Sequence, residues 1–155
     1  MKQTVEMDKV QHNMRPGCIT LKGLLGEDKR NLVDILIEDE GEVIRLGTSH
    51  KAIAERMQEL RDSGVEGLGE SITIEDRYDV RVDSVRGLLP CPYEDGTVQK
   101  TFIQVHNRML KRSITYTDLH IHMIREHGFY EGKGSSFRLS PQDLVEILDV
   151  PPSCM

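Results

Sequence analysis

The residues with the clearest potential for chemistry lie between positions 117 and 138. Asp118, His120 and His122 form an Asp-x-His-x-His pattern, and carboxylate and imidazole groups are common zinc ligands. In a strand these three side chains would share one face, with about 6.6 Å between alternate residues. In a helix, Asp118 and His122 would lie one turn apart on the same face. We therefore predict that Asp118, His120 and His122 hold a divalent metal such as zinc.

The five residues from Asp118 to His122, in the order Asp-Leu-His-Ile-His, resemble the metal-binding strand of the amidohydrolase and PHP-type phosphoesterase superfamilies. The resemblance implies that the two histidines bind a catalytic metal. In those families the motif ends the first strand of a long barrel, and we expect the 33 residues after His122 to be too few for one. We therefore transfer neither the fold nor the activity of those families to this chain.

Local signals favour a helix rather than a strand for this segment. Thr117 is a typical N-cap, Gly128 suits a left-handed C-terminal end, and basic side chains precede that glycine. In such a helix Asp118 and His122 stay together, whereas His120 turns toward the apolar side. This pair is therefore the part of the predicted metal site that both conformations preserve.

A third ligand for this pair would have to come from another part of the chain, and the sequence does not rank the candidates His50, His106 and Glu131. The alternative is that these histidines serve the fold, because a histidine on an apolar helix face is more often hydrogen-bonded in the core. The chain also lacks the His-Glu-x-x-His pattern of zinc proteases.

The loop that follows has the composition of an anion-binding site. Gly132 and Gly134 can free backbone amides for a phosphate or carboxylate, and Lys133, Ser135 and Arg138 supply further donors. The spacing is not that of a Walker A loop. We predict that Lys133, Ser135 and Arg138 bind a small anionic ligand, with assistance from the metal.

The same loop also has the features of a packing surface. Phe129, Tyr130 and Phe137 are three of the seven aromatic residues in the chain. The alternative function is therefore a non-catalytic oligomerising interaction or regulatory module, with a homo-oligomer as its product. Light scattering that finds a monomer would argue against this alternative.

The sequence identifies no catalytic residue and leaves open whether the protein is an enzyme. Cys91 lies between two prolines and has no recognisable base nearby in the sequence, so it reads as an inert thiol. The three cysteines form no Cys-x-x-Cys pair and are odd in number, which argues against a disulfide framework and indicates reduced thiols.

Charged residues are distributed unevenly along the chain. The 155 residues carry a net charge of −6, yet residues 97–138 hold 7 Lys and Arg against 3 Asp and Glu. The acidic total, the absence of Trp and the absence of a basic run argue against nucleic acid as a partner. No apolar run reaches the ~18 residues of a membrane span, and the N-terminal sequence is too polar for a signal peptide. We expect a soluble, cytoplasmic protein.

The first half of the chain predicts two strand-helix units in a single domain, 1–155, with residues 1–15 as an N-terminal arm of undecided structure. We predict a strand over 18–25, a helix that begins near Glu27 and ends at Gly41, and a strand over 43–46. A second helix begins after Thr48 or Ser49 and ends at Gly64, which suits a C-terminal cap.

The second half predicts strands followed by closing helices. Residues 72–74 and 80–82 alternate as in a hairpin, residues 88–96 read as a loop because of their two prolines, and residues 101–105 and 113–116 read as strands. Ser140 and Pro141 begin a terminal helix. This order predicts an α+β fold with a mixed, largely antiparallel sheet and helices packed on one face.

Overall fold

The computed structural model describes residues 3–16, 18, 23–135 and 137–152. It confirms the α+β class. In chain order the helices and strands are α1 Val5–Asn13, α2 Leu32–Arg45, α3 His50–Gly64, β1 Ile72–Ile74, β2 Tyr78–Pro90, β3 Thr97–Asn107, β4 Arg112–Thr117, α4 Asp118–His127 and α5 Pro141–Leu148. A short 3-10 turn, Val65–Gly67, follows α3.

The sheet has four strands in the order β1-β2-β3-β4, and every pairing between them is antiparallel. In the register, Ile72 pairs with Val80, Val80 with Val105, and Val105 with Ile114. Successive side chains point to opposite faces of a strand, so these residues share one face. The predicted largely antiparallel sheet is confirmed, and the described strands contain no parallel pair that would make it mixed.

The buried face of the sheet forms the larger apolar cluster with the helices of the second half. Tyr78, Ile103 and Tyr116 from the strands pack with side chains of α3, α4 and α5 such as Met57 and Leu144. Burial of such side chains is the main favourable term in folding. This cluster joins α3, α4 and α5 to the sheet, and the predicted packing of the helices on one face stays a prediction.

A second apolar cluster joins the N-terminal helices to the far end of the β2-β3 hairpin. Met14, the C-cap of α1, and Ile35 of α2 belong to this cluster with Cys91, and Leu119 and Met123 of α4 complete it. Because α4 also places Ile121 and Ile124 in the larger cluster, this helix lies between the two apolar clusters and contacts both. Its remaining side faces the hairpin end and solvent.

Several predictions of local structure are wrong. The helix predicted to begin near Glu27 begins at Leu32, with Asn31 as its N-cap. It does not end at Gly41, so residues 43–46 are not a strand: Val43 is buried as part of the helix, and the chain turns at Gly47, whose φ is 76°. A four-residue segment with three apolar residues fits a helical turn as well as a strand.

Residues 88–90 belong to β2 rather than to a loop, since Leu88 to Pro90 pair with Gln99 to Thr97. Pro90 is tolerated because it is the last residue of its strand. Of the strand predicted over 18–25, residues 19–22 lie outside the described residues, and Gly23 to Leu25 are not a strand.

Several predicted boundaries are confirmed. The Ser49 side chain accepts a hydrogen bond from the Ala52 amide at 3.0 Å and caps α3. Ser140 caps α5 with Pro141 in its first turn, and β1 and β2 form the predicted hairpin. The undecided N-terminal arm contains α1. None of the described helices combines the length and apolar content that crossing a bilayer requires.

Gly64 gives a test of this packing. It is not a left-handed cap as predicted but the last residue of α3, and a Cβ there would lie 2.5 Å from Val80 Cγ1 and 2.8 Å from Val82 Cγ2. Valine side chains are stiff, so Gly64→Ala should lower the free energy of unfolding by about 1–3 kcal/mol. Gly41→Ala is the matched control, because a Cβ there meets nothing within 4 Å, and it should raise stability by roughly 0.5–1 kcal/mol. Urea denaturation measures both, and equal effects would contradict the close contact.

Candidate metal centre

Four side chains of metal-binding type converge where the β2-β3 hairpin loop meets α4. Cys91, Asp95, His122 and His127 each offer one ligand atom, and these atoms all lie within 4.8 Å of one another. The two oxygens of Asp95 lie 2.9 Å from His122 Nε2 and 2.7 Å from His127 Nε2. One carboxylate therefore bridges two imidazoles, with a thiol beside them.

The hairpin loop holds the first two of these residues in a tight turn. The amide of Cys91 donates to the carbonyl of Gly96 at 3.0 Å, and the amide of Glu94 donates to the carbonyl of Cys91 at 2.9 Å. Gly96 has a φ of 144°, a conformation that favours glycine. The loop thus folds Asp95 back over Cys91 and toward the helix.

The helix presents the two histidines from its solvent-facing side. Thr117 and His120 form a capping box that fixes the start of α4, and the left-handed Gly128 ends it, as the sequence predicted. His122 lies in the middle and His127 at the last position, and their rings meet edge to face with centroids 5.6 Å apart. The helical path from His122 to His127 therefore directs both rings to the same carboxylate.

Tyr93 braces the second histidine from the loop side. Its ring stacks on His127 with centroids 3.6 Å apart and an interplanar angle of 4°. The Tyr93 hydroxyl is buried and has no hydrogen-bond partner among the residues that the structure describes. The contribution of Tyr93 to this site is therefore its ring, which restricts the orientation of the imidazole.

The electrostatics of the cluster follow from its burial and its hydrogen bonds. Burial raises the pKa of the Cys91 thiol to about 12, with a further contribution from the hydrogen-bonded Asp95 carboxylate. Burial alone would raise the pKa of Asp95, but hydrogen bonds from Cys91, His122 and His127 outweigh it and hold that pKa well below its ordinary value. Without a metal, the centre therefore combines a neutral thiol with a carboxylate anion.

This ligand set fits zinc. Thiolate sulfur, imidazole nitrogen and carboxylate oxygen are the groups that bind Zn²⁺ in a tetrahedral arrangement, in which ligand atoms about 2.1 Å from the metal lie roughly 3.4 Å apart. The bridged Asp95 and histidine atoms, at 2.7 and 2.9 Å, would separate slightly to admit the ion. A coordinating thiol loses its proton, so the metal would replace the proton of Cys91.

Of the three residues predicted to bind metal, only His122 belongs to this cluster. Arg61 holds Asp118 with two hydrogen bonds of 3.1 Å. His120 is buried and pairs with Glu131, and its ring also caps the helix through Thr117. The structure thus gives Asp118 and His120 structural partners.

The predicted anion-binding side chains also have partners inside the chain. Lys133 Nζ lies 2.6 Å from Glu38, and the Ser135 hydroxyl donates to Glu131 at 2.9 Å. Arg138 makes two hydrogen bonds to Asp39, of 2.7 and 2.9 Å. An anionic ligand at this loop would have to compete with these carboxylates.

The sequence-based reasoning missed three of the four clustered residues. Cys91 was interpreted as an inert thiol, and Asp95 and His127 were interpreted as a turn and a helix end. A usable signal was present, because a predicted loop with a thiol and a carboxylate lay between strands, and the predicted helix carried three histidines. Their proximity depends on the register of β2 and β3, which the sequence did not specify.

Comparison of the chain with protein-family models, with curated proteins and with solved structures finds no match.

The structural role of His120 can be tested by removing it. His120→Ala would leave the buried Glu131 with Ser135 as its remaining side-chain partner among the described residues, and removing one partner of a buried hydrogen bond costs about 1–3 kcal/mol. His106→Ala is the control, because His106 makes only a hydrogen bond to Ser113 on an exposed part of the sheet. Urea denaturation should show a large loss of stability for the first variant and little for the second. Similar losses would argue against this role.

Proposed function

We propose that this protein binds a zinc ion through Cys91, Asp95, His122 and His127. The observation that carries the proposal is the convergence of one ligand atom from each residue within 4.8 Å. A sulfur ligand with two imidazoles selects zinc and its neighbours in the first transition row over magnesium and calcium, which prefer oxygen.

The role that this site supports best is structural. Four protein ligands complete a tetrahedral zinc site, whereas catalytic zinc keeps a position open for water or substrate. The ion would pin the hairpin loop to α4, where the second apolar cluster, which includes Cys91, meets solvent. Binding free energy at such a site adds to folding free energy.

The chemistry of the cysteine ligand also indicates a cellular compartment. A zinc thiolate requires Cys91 to be reduced, and the cytoplasm keeps thiols reduced. We propose the cytoplasm as the compartment in which the centre is occupied. Oligomerisation and the small anionic ligand expected at Lys133, Ser135 and Arg138 remain separate hypotheses.

Metal binding is tested on the full chain with two ligand variants and one control. Wild-type protein should take up one zinc per chain by elemental analysis after zinc loading and gel filtration. His127→Ala and Cys91→Ser should each weaken binding by more than the ~10- to 100-fold that loss of an outer-shell partner costs. His106→Ala, a surface histidine outside the cluster, should bind as wild type does.

Competition titration against a chromophoric chelator measures these affinities, and cobalt substitution adds a thiolate-to-metal absorption band that Cys91→Ser should abolish. Wild-type protein that binds no zinc, or a His106→Ala variant that loses binding equally, would contradict the proposed site.

Substitution of Tyr93 separates its ring from its hydroxyl. Tyr93→Phe keeps the stack on His127 and removes an unpartnered hydroxyl, so its zinc affinity should match that of wild type. Tyr93→Leu removes the stack and should weaken zinc binding by about 10-fold, as loss of an orienting neighbour does. The same competition titration measures both variants. Equal affinities would indicate that stacking does not orient the ligand.

A further inference from the structure

A second thiol lies beside the metal centre. Cys18 and Cys91 both line a cleft of about 200 Å³, whose other walls are Asn13, Pro90 and Glu94. Cys18 is exposed, whereas Cys91 is buried. The only sulfur ligand of the cluster therefore shares a cavity with a thiol that solvent reaches.

The N-terminal segment is attached to the same loop that carries the ligand. The Asn13 side-chain amide donates to the carbonyl of Pro92 at 2.8 Å, and Lys9 lies 3.1 Å from Glu94. Pro92 and Glu94 lie between the ligands Cys91 and Asp95 in the chain. These contacts keep the end of α1 next to the metal centre, and the Cys18 amide donates to the carbonyl of Arg15 at 3.2 Å, close to that end.

The two thiols differ in what they can do. An exposed thiol is the one that an oxidant reaches first, and its first oxidation product is a sulfenic acid. A zinc-bound cysteine is already a thiolate, and the thiolate is the form that attacks an oxidised sulfur to make a disulfide. The cleft thus brings a sulfur open to oxidation beside a sulfur ready to form a disulfide.

We propose that Cys18 is the redox trigger of the metal centre, so that a hydroperoxide joins Cys18 to Cys91 and the zinc ion leaves. This inference rests on the zinc site proposed above. In the first step the Cys18 thiol and hydrogen peroxide give a sulfenic acid and water. In the second step the Cys91 thiolate attacks that sulfur, the S–S bond forms, hydroxide departs, and the Zn–S bond breaks. The two sulfurs lose two electrons, which the O–O bond of the peroxide accepts.

The consequence for the ion follows from the ligand count. A disulfide sulfur is no longer a thiolate ligand, so the centre is reduced to one carboxylate and two imidazoles. Zinc affinity falls with the loss of its one sulfur ligand. A thiol reductant restores Cys91, and with it the site.

The test uses zinc-loaded full-length protein that carries Cys154→Ser, which removes the third cysteine. After addition of hydrogen peroxide, a metallochromic dye should report release of one zinc per chain. Intact mass should fall by the mass of two hydrogens, and peptide mapping should find Cys18 joined to Cys91. Dithiothreitol with added zinc should reverse both changes.

The matched variant is Cys18→Ser in the same background. It should bind zinc as its parent does and keep it during the peroxide treatment that empties the parent. Equal zinc release from both proteins, or release accompanied by sulfinic acid at Cys91 in place of the disulfide, would overturn the inference. Failure of the untreated parent to bind zinc would instead refute the zinc site itself, so the two results are distinguishable.

Discussion

The burial of α4 on two sides is the constraint on which the rest of this structure depends. Ile121 and Ile124 pack into the cluster beneath the sheet, and Leu119 and Met123 pack into the cluster beneath the N-terminal helices. A ten-residue helix with two buried sides has only one strip left for polar groups. That strip carries His122 and, at the last position of the helix, His127. The packing of the apolar residues therefore determines which side of α4 the two histidines occupy.

The hairpin loop completes this arrangement because it supplies the thiol and the carboxylate of the cluster. Asp95 accepts hydrogen bonds from both histidines, and these bonds keep the pKa of its carboxyl group low although burial alone would raise it. Cys91 is 2% exposed, and burial disfavours its anionic form. A divalent cation reverses this balance, since it stabilises the thiolate and the carboxylate together. The protein by itself therefore brings the four side chains together, and binding of a metal would change the protonation state of Cys91.

The sequence was sufficient for what depends on neighbouring residues and insufficient for what depends on register. It predicted α4 from Thr117 and Gly128, the cap at Ser49, and the β1-β2 hairpin, because capping and period-two alternation are local properties. It did not predict the partners of His122, because Asp95 reaches the helix only through a long hairpin whose register shifts between Val85 and Leu88. A bulge of this kind bends the strand and so changes the direction of the residues that follow it. The sequence placed its predicted metal site on the helix that carries two of the four clustered side chains, and it did not identify the two that the hairpin loop supplies.

The local excess of basic residues over 97–138 has a structural counterpart elsewhere in the chain. Arg138 and Lys133 pair with Asp39 and Glu38 of the acidic α2, and Arg108 pairs with Asp79 of β2. Such pairs satisfy donors that would otherwise attract an anion. The basic excess of residues 97–138 is therefore balanced in the fold by acidic side chains from other parts of the chain. A cation at the hairpin end faces the opposite situation. Its four prospective ligands mainly contact one another, and a metal ion would replace the protons that now join them, with Asp95 and the two imidazoles moving apart to admit it.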